Sequence, residues 1–295
     1  MRITDAQKLD ILRSNAHAIA VYQQPEAYGD QITVIVNDLA TLSPLKLPPH
    51  IPQSIVVTRG RRPFRTLELS VDRADTICYD EPVPGGVQIQ PRNAGWVGTL
   101  GAACSFRGLD GKTRWGILSN WHVMCPDSTT RGHPIHQPLD DHPPIALLED
   151  WEPINPSKVN AFDAALADAK INGLHTIGPH IHCLGKPNPE ILTPHVGLPV
   201  AKCGRTSGLT TATCIAVDAA LTVGYEDFEA MYSGQAIFAG ADGPFSAPGD
   251  SGSLILAEDS NHPIALLFAG NEEMTIGSPL GPIQQRFGLD FHFPE

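Results

Sequence analysis

Proline and glycine punctuate this chain too often for long helices. There are 27 of each in 295 residues, and few apolar stretches hold a helical period for long. Proline removes a backbone donor and glycine relaxes the backbone, so the elements between them must be short. The expectation is a mainly β chain of many short strands and turns. The length allows two or three compact units with ample core.

One turn carries chemistry. In Pro244-Phe245-Ser246-Ala247-Pro248-Gly249-Asp250-Ser251-Gly252-Ser253-Leu254-Ile255-Leu256 a serine sits between two glycines, before an apolar strand-like run. A hydroxyl nucleophile needs a tight turn that exposes its oxygen. It also needs backbone N–H groups aimed at the oxyanion formed when it attacks a carbonyl. Gly249 and Gly252 permit such a turn, because glycine tolerates positive φ. The plain alternative is a glycine-rich turn before a core strand.

A serine nucleophile needs a base. Of the 12 histidines, His122 stands out by context. It ends the stretch Trp115-Gly116-Ile117-Leu118-Ser119-Asn120-Trp121-His122-Val123, where a buried strand should stop. A carboxylate must hold the imidazole tautomer. Asp163, inside Ala161-Phe162-Asp163-Ala164-Ala165-Leu166-Ala167, is an acid in an apolar run that needs a partner. Its alternative is the start of a helix or strand.

The order His122, Asp163, Ser251, with Gly-Asp-Ser-Gly-Ser at the serine, resembles the chymotrypsin-like serine proteases. The gaps are 41 and 88 residues, close to the roughly 45 and 93 of the chymotrypsin arrangement. Subtilisin-like and α/β-hydrolase enzymes place the three roles in other orders. Gly204-Arg205-Thr206-Ser207-Gly208-Leu209-Thr210 is similar to the Gly-Arg-Thr-Thr-Gly stretch of bacterial members. With Leu118-Ser119-Asn120-Trp121-His122-Val123, it resembles a signal-less bacterial branch related to the plant NARROW LEAF 1 type. The resemblance covers about residues 95 to 290. Trp121 departs from it, standing where animal enzymes carry alanine, next to the primed side of the cleft.

The resemblance implies a chymotrypsin-like double β-barrel with a small N-terminal α+β domain. The boundaries expected are 1–88 for that domain and its linker, 89–185 for a first barrel with His122 and Asp163, and 186–295 for a second barrel with Ser251. It further implies a serine endopeptidase with His122, Asp163 and Ser251 as triad. The N–H groups of Gly249 and Ser251 would form the oxyanion hole, and Phe245, Ala269 and Gly270 would line the S1 pocket. No acid occupies these pocket positions, so an apolar or small P1 residue is expected rather than Arg or Lys. A non-catalytic binding module on the same fold, or an esterase using the same residues, are the rival readings. In small secreted bacterial relatives, an arginine two residues before the Gly-Arg-Thr-Thr-Gly stretch meets the aspartate beside the serine. Here that count gives Lys202 as partner of Asp250, with Arg205 as the fallback.

In the N-terminal part, Thr4-Asp5-Ala6-Gln7 has capping-box form, and a helix is expected from 4 to about 20, ended by Pro25 at the latest. Strands are expected at Ile32 to Val36, Ile55 to Thr58 and Thr66 to Val71, with a proline-rich stretch from Pro44 to Pro52. Packing or assembly is the plain role for this part, and substrate recognition or gating of the cleft the functional one. Asp80 to Gly86 reads as a linker.

The partner expected is a protein or peptide substrate, with a homo-oligomer or regulatory partner to restrain a protease. A net charge of −12 argues against nucleic acid and anionic membranes. No run of 18 apolar residues offers a membrane span, and no signal-peptide core follows Met1. These point to the cytoplasm and to Cys78, Cys104, Cys125, Cys183, Cys203 and Cys214 as mostly free thiols, with a Cys104–Cys125 bridge left open. No cofactor is expected. The histidine groups His175, His180, His182 with Cys183, and His133, His136, His142, lack a completing acid and read as loop residues rather than metal ligands.

Overall fold

Six strands in the C-terminal half pair in a ring. Pro199–Gly204 pairs with Gly208–Gly224, and that strand with Glu229–Gly240. Thr275–Pro279, Pro263–Gly270 and Leu254–Ala257 follow, and the last returns to Pro199–Gly204. Every pairing in the ring is antiparallel, and closure leaves no free edge. The computed structural model describes residues 2–24, 31–37, 45–48, 55–59, 62–126, 129–171 and 174–293. Their architecture is mainly β, with short helices at Asp5–Ser14, Trp121–Met124 and Leu280–Phe287.

The first half forms an eight-stranded sheet in the order Leu69–Ser70, Trp96–Thr99, Gln88–Pro91, Pro134–His136, Pro144–Trp151, Ala165–Asp168, Thr113–Ser119, Ala102–Arg107. Ile89, Leu100, Ile117, Ile135 and Leu148 fill its interior. A separate apolar cluster joins the two halves: Leu118, Phe162 and Leu166 from the first meet Leu254 and Leu266 from the second. The helix Leu280–Phe287 adds Ile283 and Phe287 to this seam. It stops at Gly288, whose φ of 65° is the left-handed cap conformation.

The described N-terminal strands join the sheet of the second half. Ala18–Gln23 pairs antiparallel with Gly208–Gly224, through Ala20 opposite Leu221. Ile32–Val36 and Ile55–Arg59 extend that sheet outward. The period-2 pattern of a strand explains why Ile32–Val36 is buried throughout. Ile32, Val34 and Val36 pack with Ile11 and Leu12 of the first helix, and Ile35 faces the barrel with Tyr22 and Leu221.

Three expectations change here. The first helix ends at Ser14, not near 20, although the Thr4–Gln7 capping box is present. Asn15 Nδ2 donates to the Ile11 carbonyl at 2.6 Å, and the following residues are drawn into the sheet. The supposed linker contains the strand Val83–Gly85, which pairs parallel with Ile177–Ile181. The expected strand from Thr66 to Val71 is broken: Phe64–Thr66 pairs with the second barrel, Leu69–Ser70 with the first, and Val71–Arg73 is a short 3-10 turn. All six cysteines are free thiols, so Cys104 and Cys125 are not bridged. Of the stretch from Pro44 to Pro52, all but 45–48 lies outside the described residues, as does the side chain of His175.

Candidate active site

The loop after Thr113–Ser119 turns at once into the four-residue helix Trp121–Met124, which sets His122 at the seam between the halves. Asp163 holds this turn. Its Oδ1 accepts the N–H of Trp121 at 2.6 Å and that of His122 at 3.4 Å, and its backbone carbonyl accepts Asn120 Nδ2 at 2.8 Å. Asp163 Oδ2 lies 2.7 Å from His122 Nδ1 and accepts the Tyr225 hydroxyl at 2.8 Å. Tyr232 bonds the Tyr225 hydroxyl from behind. A fully buried carboxylate is tolerable with this many donors. Neither tyrosine was legible in the sequence, because they reach Asp163 from the second barrel, 62 residues or more down the chain.

Burial and the nearby Asp163 charge push both phenols well above their ordinary range, so Tyr225 remains a donor. Tyr225→Phe is therefore expected to destabilise the fold by about 1–3 kcal/mol, since it strips one donor from a buried carboxylate. A denaturant midpoint equal to the parent's would contradict this.

His122 is 7% exposed. Burial alone would lower its pKa. Asp163, through charge and hydrogen bond, together with Glu68, outweighs that and raises it above 6.5. A histidine raised in the folded state adds stability that is fully present below about 6.5 and is lost as pH rises through the higher folded value. Glu68→Gln is expected to lower the His122 pKa, as read by imidazole NMR titration. An unchanged or higher value would contradict the contribution of Glu68.

Ser251 sits on the turn after Gly249, whose φ is 102°, and before Gly252, whose φ is 96°. Both values lie in the region that favours glycine. A Cβ on Gly252 would collide with Ser119 Oγ and the Thr99 carbonyl. Asp250 points away from the serine into the second barrel and is fully buried. Its Oδ2 lies 3.1 Å from Lys202 Nζ and accepts the Ala247 N–H at 2.9 Å and the Ser207 hydroxyl. Its Oδ1 accepts the N–H groups of Thr206 at 3.0 Å and Ser207 at 3.2 Å. Burial draws the Lys202 ammonium below its ordinary range, and the Asp250 charge opposes that. Arg205, the fallback, pairs with Asp75 at 2.7 Å instead.

One link of the expected triad is not formed. Ser251 Oγ donates to the Phe268 carbonyl at 3.2 Å and accepts the Leu67 N–H at 2.9 Å. His122 Nε2 is buried without a hydrogen-bond partner among the described residues, with Glu68 Oε2 3.7 Å away. The expected oxyanion donors, the N–H groups of Gly249 and Ser251, both reach the Leu67 carbonyl, the latter at 3.4 Å. At the expected S1 pocket, Phe245 is buried in one apolar cluster with Leu67. Ala269 lies opposite Thr66, and Gly270 opposite Arg65, in an antiparallel pairing. Beside this strand a cleft of ≈ 570 Å³ stays open, lined by Trp121, His122, Tyr225 and Phe228.

Elsewhere, His136 Nδ1 is 2.7 Å from the His142 carbonyl and His133 Nε2 is 3.1 Å from the Arg92 carbonyl. No group of three His, Cys, Asp or Glu residues is placed to hold a metal among the described residues. No helix there is long and apolar enough to cross a membrane.

The fold is that of the chymotrypsin-like serine proteases. The chain is similar to an α-lytic protease homolog, N4, at 16% identity with a TM-score of 0.51, covering 71% of this chain and 99% of that one. It is likewise similar to Thermobifida fusca protease A at 18% identity and a TM-score of 0.50, covering 70% of this chain and 97% of that one. No family model and no curated protein matches the sequence.

Proposed function

We propose that this chain is a serine endopeptidase with Ser251 as nucleophile, His122 as general base and acid, and Asp163 as the group that orients His122. One observation carries the reading: two backbone N–H groups, those of Gly249 and Ser251, converge on a peptide carbonyl beside Ser251 Oγ. That is the geometry an oxyanion hole requires. In the reaction, Ser251 Oγ attacks the carbonyl carbon and His122 Nε2 takes its proton. His122 returns the proton to the leaving amine, and water then releases the acyl group by the reverse use of His122. Asp163 accepts from Nδ1 and so keeps Nε2 free to act as base.

Phe245, Ala269 and Gly270 form an S1 pocket for an apolar P1 side chain, a reading supported by the apolar surroundings of Phe245. The Lys202–Asp250 pair replaces a cleaved N-terminus as the brace of the serine turn, supported by their 3.1 Å separation. The motifs around His122 and Gly204–Thr210 support a place in a bacterial branch related to the plant NARROW LEAF 1 type, acting by limited proteolysis in the cytoplasm; six unbridged thiols fit a reducing compartment.

Fluorophosphonate labelling tests the nucleophile. The full chain and a Leu67→Asp variant, whose new charge disfavours Leu67's place in the apolar cluster, are treated side by side with Ser251→Ala. Labelling of the first two and not of the third is expected. Absence of Ser251-dependent labelling in both would favour a binding module on a protease fold.

A further inference from the structure

The chain threads its own active site. Phe64–Thr66 pairs antiparallel with Pro263–Gly270, and after two intervening residues Leu69–Ser70 pairs antiparallel with Trp96–Thr99 of the other half. The peptide bond between Leu67 and Glu68 therefore spans the seam, held at both ends by a sheet. The Leu67 carbonyl accepts from the N–H groups of Gly249 and Ser251, and its own N–H reaches Ser251 Oγ at 2.9 Å. Leu67 is 8% exposed; its side chain lies against Gly270 and shares the apolar cluster of Phe245. On the other side of the bond, Glu68 Oε2 lies 3.7 Å from His122 Nε2. Strand-like pairing on both sides, a carbonyl between two N–H donors and an apolar side chain beside it describe a bound substrate.

We propose that Leu67–Glu68 is a bond this enzyme cleaves in itself, leucine occupying S1. The inference rests on Ser251 being the nucleophile. The step requires Oγ to leave the Phe268 carbonyl by a χ1 rotation and turn toward His122 Nε2. Oγ then bonds the Leu67 carbonyl carbon as its proton passes to Nε2. The bond from that carbon to the Glu68 nitrogen breaks, and the nitrogen takes the proton from His122 to become a free α-amine. Water adds to the Leu67–Ser251 ester, yields a proton through His122 to Oγ, and leaves Leu67 as a carboxylate. Water is the sole co-reactant. The 1–67 piece stays attached, because Ala18–Gln23 is paired within the second sheet and Ile11, Val21 and Val34 remain buried. Cleavage severs the tether between the two sheets at the nucleophile, so the cleft can open to other chains.

The intact mass of the purified full chain, followed over time under denaturing conditions, tests this. Conversion to fragments 1–67 and 68–295 is expected, at a rate independent of protein concentration, with Ser251→Ala remaining whole. Leu67→Asp should slow the cut by at least about 100-fold, since a charge must enter an apolar pocket, and Leu67→Met should stay within about tenfold. A wild-type chain that stays whole while Ser251 labels with fluorophosphonate would overturn self-cleavage and make the segment an inhibitor, leaving the nucleophile intact. A cut at another bond would also overturn it. Absence of both labelling and cleavage would remove the proposed activity as well.

Discussion

Ser251→Ala is expected to lower hydrolysis of an apolar peptide or ester substrate by roughly 10⁶-fold, the scale on which a triad loses its nucleophile. The substitution removes one oxygen on a turn fixed by other groups. Gly249 and Gly252 keep their positive φ, and Asp250 keeps its five donors. The fold should therefore persist, and the melting transition should stay within a few degrees of the parent. Substrate turnover near the parent value in a folded Ser251→Ala protein would rule out Ser251 as nucleophile. The proposed oxyanion donors and pocket remain, so residual catalysis above water is expected rather than none.

Lys202→Met is the second large effect, and it acts on stability. Lys202 and Asp250 are both wholly buried at 3.1 Å. Removing the cation leaves a carboxylate in the barrel core with neutral donors alone. Breaking a buried pair in this way costs about 3–5 kcal/mol. Because Ala247 and Thr206 also bind that carboxylate, its displacement would shift the turn that presents the Gly249 N–H, and activity should fall with stability. A Lys202→Met, Asp250→Leu double variant should recover part of the lost stability, since no lone charge remains, without recovering activity. The denaturant midpoints of the two variants decide the matter. A Lys202→Met protein as stable and active as the parent would contradict a structural role for the pair.

The serine turn was legible because its constraint is local. Two glycines with positive φ flanking Asp250-Ser251 leave few conformations, and the apolar run after them reads directly as the strand Leu254–Ala257. His122 and Asp163 could be singled out by chain order and apolar context. Lys202 came from a count within a short motif. The helix boundary failed for a different reason: Ala16, Ile19 and Ala20 fit a helical face as well as they fit the strand Ala18–Gln23, and pairing with Gly208–Gly224 decided between them. Tyr225, in the turn after Gly208–Gly224, bonds Asp163 and is itself bonded by Tyr232 of the next strand, a distant pairing that no spacing rule exposes. Leu67 and Glu68 were hidden most completely. Thr66 to Val71 reads as one continuous strand by alternation, and nothing local says that its two ends pair with different sheets.

The acyl group itself offers the most direct test of covalent catalysis. The Leu67→Asp variant, its cleft opened, would be mixed with a slowly deacylating leucyl ester, quenched in acid within the first turnover, and digested for peptide mass analysis. The expected result is an acyl adduct on the peptide carrying Ser251, formed in a burst and lost at the steady-state rate. Ester turnover with no adduct on Ser251, or with the adduct on another residue, would contradict catalysis by this serine.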